Sequence, residues 1–344
     1  MRNLVRSFFY ITGILALTVS TIFLLTSFSL GIDLVEIFAL FFGSTMGSLD
    51  SILQTLARAT PILISTLGLL VAFKGGIWNI GGEGQIVVGA IVTVGTCLFL
   101  GLPPSLAIIL SLAGSFLASG VYGALAAFLK ARWDVNEVVI TMMQNFVAFA
   151  ILQYLIDGPW NWGVGLYPRT AMIPPEMRLP FIMSPLNSMF LVALALVAAI
   201  YILLNWTVLG YEIRAMGANR MAAFTNGIDT ERLTVLSMLL SGGMCGLAGS
   251  GLVLGTFFRA QAGISGNYGF YAIASAFIAG NRALLAPLSS LLIALIYEGT
   301  LSLTALGIPH RLSEAMVGIV FLIVLLPKAV GWLQEVKEGN AADN

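Results

Sequence analysis

Apolar residues run along this chain in long, nearly unbroken blocks, not at the alternating or three-to-four-residue spacing of half-buried strands and surface helices. Blocks suggesting spanning helices fall at roughly 7–30, 60–73, 85–101, 104–129, 136–157, 186–206, 232–257, 270–281, 284–305 and 312–327. A helix needs about 20 apolar residues to cross a hydrocarbon core of about 30 Å. The expected fold class is an all-α integral membrane protein with about ten transmembrane helices. The block behind Arg2 and Arg6, from Ser7 to Leu30, exceeds the apolar core of a cleavable leader, about 7–15 residues, and reads as an uncleaved first helix.

Composition agrees with the pattern. Of 344 residues, 58% are hydrophobic and 9% charged, against roughly 25% charged in an average soluble domain. The formal net charge is zero, which leaves no electrostatic case for a nucleic-acid partner. Cys97 and Cys245 lie inside apolar blocks and read as small buried hydrophobes, not as a disulfide pair. Threading the blocks alternately from a cytoplasmic N-terminus puts Arg2, Arg6, Lys74, Lys130, Arg132, Arg214, Arg220, Arg232, Arg282, Lys328 and Lys337 inside. Arg58, Arg169, Arg178, Arg259 and Arg311 are left outside, the minority of the 16 basic residues. That bias is the one expected of a chain with both termini in the cytoplasm.

Two blocks are short for a crossing. Pro61 to Phe73 would rise only about 20 Å as a helix, and the block from Phe270 to Gly280 less. Each adjoins a glycine-rich break: Gly75, Gly76, Gly81, Gly82 and Gly84 in the first, Gly263, Gly266 and Gly269 in the second. Aligning Gly81-x-x-Gly84 with Gly266-x-x-Gly269 superposes the apolar runs that follow, in opposite membrane orientation. Broken helices at matching places are the mark of an inverted repeat around a translocation path. Irregular backbone at membrane depth survives only where protein or a water-filled cavity satisfies it. Glu83 and Lys74 can be ionised there if they pair or meet water, and Glu83 reads either as a path residue or as a structural pin.

Three motifs carry a resemblance: "NIGGEGQIVVGA" (Asn79 to Ala90), "LKARWDVNEVVITMMQNFVA" (Leu129 to Ala148) and "LGYEIRAMGANRMAAFTNGI" (Leu209 to Ile228). Together they resemble the membrane permease subunit of bacterial ABC importers, in the family that serves ribose-type sugars, nucleosides and branched-chain amino acids. The resemblance covers roughly residues 55–327. The first two motifs are most similar to those of nucleoside permeases, and relatives carrying flavin-like solutes share them. The implied fold is the type II ABC importer permease, with inverted repeats and broken helices, in the bacterial cytoplasmic (inner) membrane. The implied partners are a separate ABC ATPase, an extracytoplasmic solute-binding protein and a second permease, a different chain in preference to a second copy. ATP is then used by the partner, and this chain needs no cofactor.

The same resemblance divides the chain into a first helix and peripheral outer segment (1–59), a permease core (60–327) with a coupling loop at 207–230, and a cytoplasmic tail (328–344). It implies a solute path lined by Asn79, Glu83 and Gln85 at the first break, Asn267 and Tyr268 at the second, and Gln144 and Asn145 between them. Gly210, Glu212, Arg214, Gly217, Asn219, Ala222 and Gly227 are the implied coupling residues. Independently of the family, Tyr211, Ala215, Ala218 and Ala222 recur at helical spacing, giving a small-residue face that can lie close to another protein; a solvated connector is the plain alternative. The outer arginines Arg169, Arg178, Arg259 and Arg311 are candidates for steering a binding protein. The outer loop from Gly158 to Pro185, with Trp160, Trp162 and Tyr167, reads as an ordered cap whose aromatics either form an interfacial belt or stack on solute.

Several chemistries have no motif here. No G-x-x-x-x-G-K-[ST] loop or G-x-S-x-G elbow occurs, and His310 is the single histidine, so the expectation is a transport subunit that is not an enzyme and holds no metal. A secondary transporter using Glu83, Glu298 or Glu314 as ion sites is the rival, and the coupling-type loop argues against it.

Overall fold

The computed structural model describes residues 33–162 and 167–306, with isolated positions between 13 and 31 and at 315, 318 and 319. Most of the first block, most of the tenth, the tail, His310, Arg311 and Glu314 lie outside the described residues.

The chain opens with α1 (Leu34–Met46), capped by Asp33, and α2 (Leu49–Lys74), capped by the Ser48 hydroxyl. The spanning helices α3 (Gly82–Phe99), α4 (Pro104–Trp133), α5 (Glu137–Asp157) and α6 (Met189–Trp206) follow. Two short helices, α7 (Val208–Ala218) and α8 (Arg220–Thr225), lead into α9 (Thr230–Leu252), which continues as a π-helical turn at Val253–Phe257. The described part closes with α10 (Tyr268–Ile278) and α11 (Ala286–Ser302). Among the described residues seven helices are long and apolar enough to cross a membrane, and α1 and α10 are shorter apolar helices.

The structure corrects one reading of the pattern. The block at 60–73 is not a short, interrupted crossing: α2 is 26 residues long and begins at Leu49, so its ideal length of about 39 Å is ample. The polar residues Ser51, Gln54, Thr55 and Arg58 hid its first turns from a count of apolar positions. They do not interrupt the helix because Thr55 bonds back to the Ser51 carbonyl and Arg58 forms an ion pair with Glu298. Arg58 is therefore a helix residue and not part of an outer loop. Likewise the outer segment expected to run to residue 59 is not wholly peripheral, since residues 49–59 are the first turns of α2. Only α1 is separate, and it buries Ile37, Phe41 and Thr45, with Phe41 filling the space beside Gly299 of α11.

The centre of the molecule is α9, packed against α2, α3 and α4. Its small residues let backbones approach: a side chain at Gly246 would strike the Ser115 carbonyl of α4, and one at Gly249 the Ile86 carbonyl of α3. Packing of this kind replaces the hydrophobic effect, which does not drive helix association in lipid. Burial grades outward, from 83% of the residues in the most apolar window of α9 to 28% in that of α6, so α6 is the least covered of the seven described spans. The loop after α5 carries a 3-10 turn at Pro175–Met177 and a hairpin of β1 (Phe181–Met183) with β2 (Leu186–Asn187). Its backbone is tied to the end of α9 by the N–H groups of Thr170, Ile173 and Leu179, which donate to the carbonyls of Ala260, Phe258 and Leu254.

Candidate functional site

The two glycine-rich breaks meet. The second leads into α10 and the first into α3, and a side chain at Gly269 would overlap the Glu83 backbone. That contact brings a carboxylate from the first turn of α3 onto the N-terminus of α10. Glu83 Oε1 accepts from the Asn267 N–H at 2.8 Å and Oε2 from the Gly269 N–H at 2.7 Å. Two N–H groups that the helix cannot satisfy itself are thereby paired, and the carboxyl group faces the positive end of the α10 dipole. The break before α3 is stabilised in a parallel way by Asn145 of α5, whose Oδ1 accepts from the Gly84 N–H at 2.7 Å while its Nδ2 donates to the Ile80 carbonyl at 3.0 Å.

Beside this junction lies a cavity of about 390 Å³, lined by Glu83, Phe149, Gln153, Ser265, Asn267, Tyr271 and Tyr297 among others. The volume falls in the range of small-molecule sites, about 300–1,000 Å³. Its walls combine three aromatic rings with amide, hydroxyl and carboxylate groups, a set that stacks on a flat ring and hydrogen-bonds to its polar edge. Behind the wall, Arg58 pairs with Glu298 and donates to the Tyr268 hydroxyl at 3.0 Å, and its Cζ lies 5.4 Å from the centroid of the Tyr297 ring. This network joins α2, α10 and α11 and leaves its carboxylate and guanidinium mutually compensated, as charges at membrane depth require.

The path candidates divide. Glu83 and Asn267 line the cavity, and Tyr268 stands behind it holding Arg58. Asn79 and Gln85 are fully buried and bonded to each other: Asn79 Nδ2 donates to Gln85 Oε1 at 2.9 Å and Gln85 Nε2 returns to Asn79 Oδ1 at 3.1 Å. Asn79 also donates to Ser241 of α9 and accepts from the Gly81 N–H. Gln144 bonds reciprocally with Tyr122 of α4, through Nε2 to the Tyr122 carbonyl and from the Tyr122 hydroxyl to its own. These three, with Asn145, sit in helix contacts and not on the cavity wall. Lys74 does not meet Glu83. Tyr271, Tyr297, Phe149, Gln153, Ser265 and Arg58 are not among the sequence candidates for the path, and Glu298 is among them only as a possible ion site of the rival reading. A readable signal existed for two of them, since Tyr271 stands one helical turn from Asn267 and Glu298 is a lone carboxylate in an apolar block.

The coupling candidates lie on α7, α8 and the turn after them. Gly210 is buried against the last turn of α6, and Gly217 touches α2, where the Lys74 carbonyl occupies the place a side chain would take. Asn219 caps α8, its Oδ1 accepting from the Ala222 N–H at 2.9 Å, and Gly227 has φ +84°. Glu212 and Arg214 are half-buried, and Ala222 is exposed beside Tyr211, Met221 and Phe224. Of the outer arginines, Arg178 is turned inward: its Cζ lies 4.5 Å from the Phe258 ring centroid and its Nη2 donates to the Ile173 carbonyl at 3.2 Å. Arg169 is bridged through its backbone to Gln261, Arg259 is half-buried, and Arg311 lies outside the described residues.

Membrane-length helices gathered round two facing breaks, with a polar-aromatic cavity at the junction, define a multi-pass transport subunit. The chain belongs to the family described as branched-chain amino acid transport system, permease component, which matches residues 51–325. It is thus the membrane permease of an ABC transporter complex. It is 31% identical over 328 residues to the guanosine ABC transporter permease protein of Bacillus subtilis, covering 92% of each chain. It is 29% identical to a glucose ABC transporter permease protein of Haloferax volcanii, over 86% of this chain and 82% of the relative. A nucleoside ABC transporter permease protein of Lactococcus lactis is also 29% identical, over 84% and 85%. No solved structure matches the chain.

Proposed function

We propose that this permease carries nucleosides through the junction of the two breaks, and that the cavity beside Glu83 is where the solute rests. The observation that carries the reading is the lining: Phe149, Tyr271 and Tyr297 put aromatic rings on the wall, and Asn267, Ser265 and Gln153 put amide and hydroxyl groups there. A purine or pyrimidine base with a ribose uses both kinds of group. The relatives named for guanosine and nucleosides support it, while the relative named for glucose keeps a sugar as the competing solute. Glu83 accepts from two backbone N–H groups and from the Ser265 side chain, so the cavity need not present a free charge to a neutral solute.

In this reading the chain is driven by a separate ATPase that docks on α7 and α8, where Tyr211, Met221 and Phe224 form an exposed apolar surface. That face is then cytoplasmic, both termini are inside, and the membrane is the bacterial inner membrane. A second, different permease completes the path, and a binding protein delivers solute to the loops at 158–188 and 258–267. The two breaks are counterparts in an inverted repeat. The chain itself carries no catalysis and takes no cofactor.

The test is ATP-dependent uptake of labelled guanosine by the assembled transporter, with uridine, glucose and riboflavin as competitors. Nucleosides should compete and glucose should not. Accumulation of glucose with indifference to nucleosides would overturn the assignment.

A further inference from the structure

Apart from the solute cavity, with which it shares no lining residue, a second cavity of about 310 Å³ opens between the C-terminal ends of α2 and α6, helix α7 and the turn joining α10 to α11. Three cations line it: Lys74, Arg214 and Arg282. Among the described residues the ion pairs are Arg58–Glu298 and Lys130–Glu137, so none of the three is neutralised by a carboxylate of those residues. Arg214 spends only its Nε, on the Gly210 carbonyl at 3.3 Å. Asn281 also lines the cavity, and its buried Oδ1 accepts no hydrogen bond from the described residues. The remaining wall is mostly apolar, with Leu204, Leu285 and the ring of Tyr201, and includes Asn205, whose Nδ2 donates to the Tyr201 carbonyl.

Three like charges gathered round one cavity repel each other, and an anion there would relieve the repulsion. We propose that this cavity binds the phosphate of an anionic phospholipid headgroup from the inner leaflet. The phosphodiester oxygens face Lys74, Arg214 and Arg282, and a headgroup hydroxyl donates to Asn281 Oδ1. A lipid fits better than a free phosphate because the cavity adjoins α6, the span least covered by the chain, whose exposed Ile202 and Trp206 mark a lipid-facing surface and its interface end. The apolar wall then meets the glycerol and first acyl carbons. Placement in the inner leaflet rests on the proposed orientation; the site itself does not rest on the identity of the solute.

The experiment is native mass spectrometry of the purified permease titrated with phosphatidylglycerol or phosphatidylcholine, with and without inorganic phosphate. The wild type should retain phosphatidylglycerol at least tenfold more strongly than phosphatidylcholine, and Lys74→Gln with Arg282→Gln should abolish that preference. The competition arms need no variant and so stand even if the double substitution impairs folding. Equal retention of the two lipids overturns the proposal, and displacement by millimolar phosphate assigns the cavity to a free anion instead. Loss of ATPase co-purification with lipid retention unchanged would make it part of a protein interface and overturn it too. Labelling of Asn205→Cys by an impermeant thiol reagent from outside the cell overturns the leaflet and the proposed orientation together; labelling only after permeabilisation supports both.

Discussion

The two glycine-rich breaks look alike in composition, yet the chain uses them differently. The polar groups of the first break are satisfied by protein: Asn79 by Gln85 and Ser241, Gly81 by Asn79, Gly84 by Asn145. Its polar core is packed, with Asn79 and Gln85 fully buried, while Gly76 and Trp78 reach the surface. In the second, residues 262–267 leave side chains of Ser265 and Asn267 on a cavity wall, and the backbone borrows the Glu83 carboxylate from the first. Glycine content marks where a helix stops, while the supply of partners decides whether the gap becomes a joint or a wall. The first break is thus the clamp and the second the surface.

Substitutions should separate the two. The largest effect is expected at their contact: Gly269→Val would drive a side chain into the Glu83 backbone, where no flexible group can yield, so the amount of folded permease in the membrane should drop about tenfold or more. Normal abundance of this variant would mean the breaks do not touch. Next comes the clamp. Asn79→Ala strands Gln85, Ser241 and the Gly81 N–H in a closed interior, a loss of about 1–3 kcal/mol for each group left unpaired, and thermal unfolding should register it before transport does.

Glu83→Gln belongs to both breaks. An amide can accept from only one of the two N–H groups and must turn its own NH₂ toward the other, which should loosen the start of α10 by about 1–3 kcal/mol. Uptake per folded molecule should fall more than abundance; uptake in proportion to abundance would leave Glu83 a pin alone. Smaller still is Asn267→Gly, which keeps the left-handed backbone at φ +63° and removes only the side chain. It should leave stability within about 1 kcal/mol, and raise the KM for solute several-fold. An unchanged KM would remove Asn267 from the path. The smallest effect is expected from Arg259→Glu on the outer loops: a slower, more weakly salt-dependent delivery by the binding protein, measured as association rate. Arg178 is a poor subject for that test, since it is stacked on Phe258.

Much of the fold is legible in the sequence, for a physical reason. Lipid imposes so strong a demand on backbone hydrogen bonding that apolar block length alone nearly dictates where helices run, and most blocks coincide with the helices found. The failure at α2 came from the same rule. Ser51, Gln54, Thr55 and Arg58 looked like an end of the helix because a count of apolar residues cannot see the side-chain partners that let polar ones stay inside. Gly217 stands at a docking position of the coupling motif. Its close neighbour is Lys74 of its own chain, and Gly217→Leu should therefore weaken the packing of α7 on α2 as well as any docking.

The sequence by itself determined the class of protein, the course of most spanning helices, the two breaks and the family, because each is written in local composition or in contiguous motifs. Only the tertiary structure decided that the breaks face each other, that Asn79 and Gln85 close one of them, that Tyr271 and Tyr297 share a cavity with Glu83, and that Arg58 of α2 finds Glu298 of α11. Those outcomes depend on which polar group reaches which partner across distant helices, and a pairing of that kind leaves no trace in the spacing of either residue.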